Sequence, residues 1–310
     1  MPAMKVPSDV HVNQVITKLV VGRRPQGFIA DDILPKLPVA NNSDLYPVFG
    51  DESFKPLDGH RAYGAAAIEI GWTYSTTAYV AKQYSARVFN ARKTRANADN
   101  FLAISQRDVQ LIQDRLSVGK EIRVAALCTD AAVITQQLTL AGATQWSHAS
   151  GDPVAHVMAA KEVIFAATGQ YPNVMVIPRL VRAKLKLNTL LRAALSITKN
   201  TYSVTDADLL NAFELDRILV PRSLYNTADE GQTASLTDIW GDFALLAYVN
   251  PNPSPNMQEM SLGYQFTWYD WYAETDYEKD RDADWTQLTY DVDEKLVSPT
   301  AAYLFIDCIA

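Results

Sequence analysis

Two cysteines and four histidines are few for a chain of 310 residues, and the scarcity closes off whole classes of chemistry. Cys128 and Cys308 share no metal-binding or redox spacing, and a reducing compartment disfavours a bridge between them, so two buried thiols are expected. His11, His60, His148 and His156 form no HxH or HxxxH pair, which leaves zinc without a visible ligand set. The sequence contains no GxSxG nucleophile elbow, no GxGxxG following a strand and no GxxxxGK[ST] phosphate loop. Gly119-Lys120 lacks both the upstream glycine and the hydroxyl residue that such a loop needs. No run of eighteen apolar residues is present, so no membrane span is expected. The segment Met1–Asp9 lacks the apolar stretch of a signal peptide, which predicts a protein made and used in a cytoplasm. A net charge of −7 argues against a dedicated DNA binder.

What charge there is falls unevenly. Residues 1–125 hold 16 Lys and Arg against 12 Asp and Glu, and the remainder holds 12 against 23. A basic front and an acidic back can meet across a subunit boundary, meet within one molecule, or face water. The acidic excess peaks where Asp276, Glu278, Asp280, Asp282 and Asp284 alternate. Oxygen-rich clusters suit calcium or magnesium, but counting from Asp276 the sixth position is Arg281 and the twelfth Gln287, so an EF-hand loop is excluded. Solvated strand edge, intersubunit salt-bridge surface and metal site remain as readings, in that order. Arg87, Arg92, Lys93 and Arg95 form a basic cluster without aromatic stacking partners for single strands; an acidic neighbour or solvent is its expected partner. Trp72, Trp146, Trp240, Trp268, Trp271 and Trp285 sit among β-type residues and are expected in core or interface packing.

Periodicity sets the elements. Val10–Val21 reads as a short helix or strand. Prolines at 25, 35, 38 and 47 then hold an extended segment whose Ile29, Ile33, Leu34, Leu37, Val39 and Val48 need a surface to lie on. Residues 51–90 read as β, with Ala67–Ala81 rich in aromatic and β-branched residues and Asp58-Gly59 as a turn. Over 97–127, Leu102, Ser105, Val109, Ile112 and Leu116 predict the longest helix, with Asn97 as cap and Gly119 as a place to bend. Asp152-Pro153 opens a helix that Gly169 closes, with Val157, Ala160, Ile164 and Thr168 on one face. Val174–Ile177 is a buried strand, Arg179–Leu195 a helix, Thr205 the cap of a helix through Phe213, and Arg217–Val220 and Phe243–Val249 strands. Asn250–Asn256 is an exposed loop, and Tyr264–Tyr272, Trp285–Tyr290 and Ala302–Ile309 are the closing strands.

The order of short signatures is itself a pattern. Ile33–Val39, Leu45–Gly50, Asp152-Pro153-Val154, Thr168-Gly169, Tyr171–Pro178, Ile239-Trp240-Gly241-Asp242, Ala244–Tyr248, Gly263–Trp268 and Ala302–Ile306 follow one another in an order that resembles the major capsid proteins of tailed bacteriophages. The resemblance covers most of residues 30–310. It implies an α+β chain with the Hong Kong 97 type of capsid fold: an N-terminal arm (1–50), an extended β loop (51–95), a peripheral domain with a long spine helix (96–150 and 286–310) and an axial α/β domain (151–285). It implies a structural subunit of an icosahedral head shell around a double-stranded DNA phage genome, located in the virion and assembled in the host cytoplasm. Its partners would be copies of itself in hexamers and pentamers, with portal, scaffolding and decoration proteins as further candidates and only nonspecific contact with packaged DNA. No catalytic, cofactor-binding or metal-binding residue is implied, and no cofactor. An encapsulin-like compartment shell shares the fold and is the alternative; a soluble α/β enzyme is the second. On this reading the arm runs over neighbouring subunits, with packing on its own subunit as the alternative; the arm and loop supply assembly energy, and the core from Asn97 onward folds without them.

Because the acidic run lacks ligand geometry, chelators are expected to leave thermal stability and assembly unchanged in melting and sedimentation experiments. A stoichiometric, tightly held calcium or zinc ion found by elemental analysis would overturn this.

Overall fold

The computed structural model describes residues 27–49, 57–61, 63–64, 66–69, 74–93, 101–196, 204–229, 231–253 and 260–310. In chain order the elements are α1 (Ala30–Ile33), β1 (Lys36–Pro38), β2 (Ser43–Phe49), β3 (Tyr74–Val80), β4 (Lys82–Ala91), α2 (Phe101–Cys128) and β5 (Gln137–Thr139). There follow α3 (Pro153–Thr168), β6 (Val174–Val176), α4 (Arg179–Leu185), α5 (Thr189–Ser196), α6 (Asp206–Phe213), β7 (Arg217–Leu219), β8 (Leu224–Asn226) and β9 (Leu236–Asp238). The chain finishes with β10 (Ala244–Ala247), β11 (Gly263–Glu278), β12 (Ala283–Leu296) and β13 (Ala302–Ile306).

Two sheets organise these elements. The central sheet runs β5-β13-β10-β6-β7, and its innermost strands β6 and β10 are buried throughout, as expected of strands covered on both faces. One face of it packs on α3, α4, α5 and α6 through Val157, Ala160, Ile164, Val181, Leu191 and Phe213. The other packs on the C-terminal half of α2, on α1 and on Trp240. The second sheet runs β1-β11-β12-β4, built around the long β11–β12 hairpin. The N-terminal half of α2 lies on it, with Val109 and Ile112 against Ala273 and Leu288. A two-stranded ribbon, β2–β3, and a small hairpin, β8–β9, stand outside both sheets.

Local chemistry explains the helix limits. Asp152 accepts hydrogen bonds from the Val154 and Ala155 amides at 3.1 and 3.0 Å, Pro153 occupies the first turn, and Gly169 closes α3 at φ 70°, a left-handed conformation that glycine adopts without steric cost. Thr205 and Asp208 cap α6 reciprocally. α2 continues through Gly119 without interruption. Gly263 is required for a different reason: a Cβ there would lie 2.3 Å from the Lys295 carbonyl oxygen and 2.9 Å from Leu34 Cδ2.

Several expectations need correction. The surface on which residues 29–38 lie is their own subunit's. Ile33 and Leu34 are fully buried in the core beneath the central sheet, and β1 pairs in parallel with β11, Leu37 opposite Phe266. Burying these side chains removes apolar area from water within the subunit, so the segment stabilises the fold itself. The ribbon is not confined to 51–95. It pairs 43–49 with 74–80, while β4 leaves it to become the edge of the second sheet. The 151–285 and 286–310 division cuts across the pairing. β13 lies between β5 and β10 in the central sheet, and β11 belongs with β12 in the other. Arg179–Leu195 is two helices, because the Asn188 side chain caps α5 by accepting from the Leu191 amide at 2.9 Å. Val10–Val21, Asn97 and 254–256 lie outside the described residues.

Deleting 1–35 removes Ile29, Ile33 and Leu34 from the core and should lower stability by about 5 kcal/mol or more, or prevent folding. Denaturant titration of the truncated protein against wild type checks the difference.

Candidate assembly surfaces

The ribbon is anchored at its base and exposed along its outer face. Side chains alternate in a strand. Tyr46 and Tyr79 therefore turn inward, where both stack on Phe266 with ring centroids 5.0 and 4.6 Å away. The Val80 amide donates to Asp293 Oδ2 at 2.9 Å, and the Ala81 amide to the Asn42 carbonyl at 2.8 Å. Leu45, Ala78 and Val80 point the other way, into water. Beyond the ribbon, Leu57, Tyr63 and Ile68 are exposed as well. A two-stranded ribbon is marginal in water, and single exposed apolar residues are ordinary. Here Leu45, Ala78 and Val80 recur along the outer face of one element, which marks a candidate interaction surface. The β8–β9 hairpin adds exposed Leu224 and Leu236.

A buried carboxylate fixes where that ribbon leaves the body. Glu121 on α2 is wholly inaccessible to solvent. Its oxygens accept from the Ile29 amide at 3.1 and 3.2 Å, the Ala30 amide at 2.9 Å and Trp240 Nε1 at 2.7 Å. Burial raises its pKa above the ordinary 4.5, against those hydrogen bonds, which favour the ionised form. Beside it, Lys120 pairs with Asp31. Burial drives the Asp31 carboxyl upward, but Lys120, Lys36 and the hydrogen bond from Gln265 outweigh it and leave the pKa below 3.8. Gln265 Nε2 donates to the Ala30 and Leu34 carbonyls at 2.9 and 2.6 Å and so stitches α1 to β11. Arg123, one turn along α2, donates to Glu294 at 2.7 Å and to Tyr290 Oη at 3.1 Å, and stacks 3.8 Å over the Tyr84 ring. Sequence reading passed over this network. Its signal was a glutamate at the head of an otherwise apolar stripe, Glu121, Val124, Ala125 and Cys128, at helical spacing.

The charged segments singled out in the sequence meet inside one molecule. Asp276–Asp284 forms the tip of the β11–β12 hairpin, and β4, which carries Arg87, lies beside it in register, Arg87 opposite Gln287 and Asn90 opposite Asp284. Arg87 and Arg281 both lie over the Phe89 ring, 4.7 and 4.5 Å from its centroid. Tyr277 Oη donates to Asp282 Oδ1 at 2.7 Å, and the Arg92 amide to the Asp282 carbonyl. Arg95 lies outside the described residues. No group of three or more metal-ligating side chains occurs among the described residues. His60 and His148 are on loops, His156 accepts from Trp146 Nε1 at 3.2 Å, and His11 is outside the described residues. Both cysteines are free and buried, and burial pushes the Cys128 thiol up to about 12 and Cys308 higher still, so neither is a nucleophile at neutral pH. Trp146 and Trp240 are buried, Trp271 packs against Tyr290 with the rings tilted by 43°, and Trp268 Nε1 reaches the Ala40 carbonyl. Trp285 faces Phe89 across β4 and β12, and Trp72 is outside the described residues.

Among the described residues, then, the features that remain unexplained within one subunit are surfaces. No helix is long and apolar enough to cross a membrane. No protein-family model matches the chain, and no curated relative does. Solved structures do. A phage-related protein from Bordetella bronchiseptica RB50 is 22% identical and superposes with a TM-score of 0.79 over 96% of this chain and 98% of its own. The capsid structure of the cyanophage P-SCSP1u matches at 10% identity and TM-score 0.58, over 92% of this chain and 89% of the other. The fold is that of phage capsid subunits. A virus-like particle from Pyrococcus furiosus matches the same capsid fold at 10% identity and TM-score 0.53, over 94% and 95% of the two chains. The α+β architecture of Hong Kong 97 type expected from the signatures is therefore present, with its elements divided between the sheets as described above.

Glu121→Ala leaves three buried donors without an acceptor and is expected to cost about 3 kcal/mol or more. Glu121→Gln keeps one carbonyl oxygen and should cost less. The folded-state pKa of Glu121 lies above the unfolded one, so its protonation favours the fold and that contribution is lost as pH rises from 4.5 through the raised value. Urea titrations at several pH values should show wild type losing stability relative to Glu121→Gln as pH rises through that window.

Proposed function

We propose that the chain is a major capsid protein, the repeating structural subunit of an icosahedral head shell that encloses the double-stranded DNA genome of a tailed phage. The observation that carries this reading is the β2–β3 ribbon. Its inner face is packed by Tyr46, Tyr79 and Phe266 and its outer face leaves Leu45 and Val80 in water, on a subunit that matches a capsid structure over 92% of its length. A partner surface would cover that outer face. A single subunit type supplies that surface when each copy overlaps the next. Head-to-tail contacts close into rings when their rotation permits, which gives pentamers and hexamers from one chain.

On this reading the second sheet with α2 forms a peripheral unit and the central sheet with α3–α6 an axial one. The partners are copies of the same chain. A portal, a scaffolding protein and decoration proteins would join them in a complete head, and the acidic subunit touches packaged DNA only nonspecifically. The role is structural, without catalysis, and its place is the virion, assembled in the host cytoplasm.

Purified protein is expected to sediment as rings, tubes or shells and to show them by electron microscopy. A strict monomer over a wide range of concentration and salt would sink the proposal. Shells that form in cells and hold a protein cargo in place of DNA would favour the compartment-forming alternative.

A further inference from the structure

Between Glu162 and Asp206 the sequence contains no acidic residue and six basic ones. Five of those six basic residues lie on or between α4 and α5, which cover part of one face of the central sheet. Their outer surface is apolar and cationic at once. Leu180, Leu187 and Leu190 are exposed, Leu187 by 62% at the corner between the two helices. Arg182 and Lys186 are occupied by Asp206, and Arg179 by Asp238. Lys184 stands exposed beside Leu187 with no carboxylate partner among the described residues. The corner is thus a convex leucine knob with a cation next to it.

A cleft of the opposite character lies on the same layer. It encloses about 400 Å³ between the C-terminal half of α3 and the residues after α6. Met158, Ala159 and the Tyr171 ring, which stacks on Phe165 at 4.4 Å, supply apolar walls. Glu162 and Glu214 supply the charge. Lys161 is consumed inside the subunit, donating to the Phe213 and Glu214 carbonyls at 3.2 and 3.3 Å and to Glu214 Oε2 at 3.1 Å. Among the described residues Glu162 receives the Tyr171 hydroxyl, at 3.3 Å, and has no cation.

The two surfaces lie at opposite ends of the helical layer. Asn188 ties the α4–α5 corner to the Trp146 and Gly151 carbonyls, next to the start of α3, and Arg182 ties it to Asp206, the first residue of α6. The cleft sits beside Glu214, just past the end of α6. At 1.5 Å per residue the intervening helix separates them by about 12 Å, so one subunit cannot close this contact on itself. We infer that the Leu187–Lys184 corner of one subunit docks into the Glu162–Glu214 cleft of the next, as a head-to-tail contact between axial units around a ring. The occupant is a second copy of this chain, because the complement of an acidic apolar cleft is present on the same molecule and cannot reach it within one subunit. This inference rests on the capsid reading and assigns residues to it.

Charge exchange tests it. Lys184→Glu and Glu162→Lys are both surface changes and should leave the monomer's melting curve unchanged. Each alone places like charges in contact and should raise the concentration needed for assembly about tenfold or more. Combined in one chain they restore opposite charges and should recover assembly. As a second readout, Lys184→Cys with Glu162→Cys should yield intersubunit disulfides, seen as a ladder of linked chains on a non-reducing gel. Wild-type protein that assembles while both single reversals assemble equally well, or a cysteine pair that never cross-links, overturns the docking assignment and leaves the capsid reading standing. Reversals that change only DNA retention in normal shells also overturn it, and place the basic corner against nucleic acid. Wild-type protein that never assembles overturns both.

Discussion

A single buried carboxylate holds the subunit's two halves in register. Glu121 lies where α2 passes from the second sheet to the central one, and it accepts hydrogen bonds from the chain entering β1 and from Trp240 beneath the central sheet. A buried charge is tolerable only when its lone pairs are satisfied, so the geometry of three separate segments is fixed together. Asp31, Lys120 and Gln265 extend the same network to β11. Burial and hydrogen bonding act on Glu121 in opposite senses, and burial wins, which makes the junction sensitive to proton concentration in a way the apolar cores are not.

The ribbon depends on that junction. β2 follows β1 after a short turn, so its direction is inherited from the segment that Glu121 and Gln265 hold. Tyr46 and Tyr79 then clamp it to Phe266, one residue from Gln265. The inner face is thereby packed against the second sheet, while Leu45 and Val80 on the outer face are held in water.

Where the sequence carried local signals, the structure follows them closely. Asp152-Pro153 and Gly169 delimit α3 because capping and left-handed closure are decided within a few residues. Val109 and Ile112 announce the buried face of α2 by spacing alone. The failures are of another kind. Pro35 and Pro38 make 29–38 look like a detached arm, yet its burial is decided by Val124, Trp240 and Leu262, more than 80 residues away. The placement of β13 in the central sheet depends on strand order, which periodicity does not encode. The ribbon's first strand was hidden for the same reason: Pro47 reads as a breaker, and nothing local says that 43–49 pairs with 74–80. The assembly surfaces were legible only in part. The exposed apolar residues are visible in sequence, but which of them escape burial is a tertiary fact.

Strand order also bears on how the subunit is made. β5 spans residues 137–139 and β13 spans 302–306, and β13 is β5's neighbour in the central sheet and stands between it and β10. A ribosome must therefore release residues 302–306 before that sheet can close. Pairings so distant in sequence form late and slowly. Until they do, the helical layer and its charged ends have no finished platform. The central sheet is thus completed late, and the order in which the subunit folds is written into its topology.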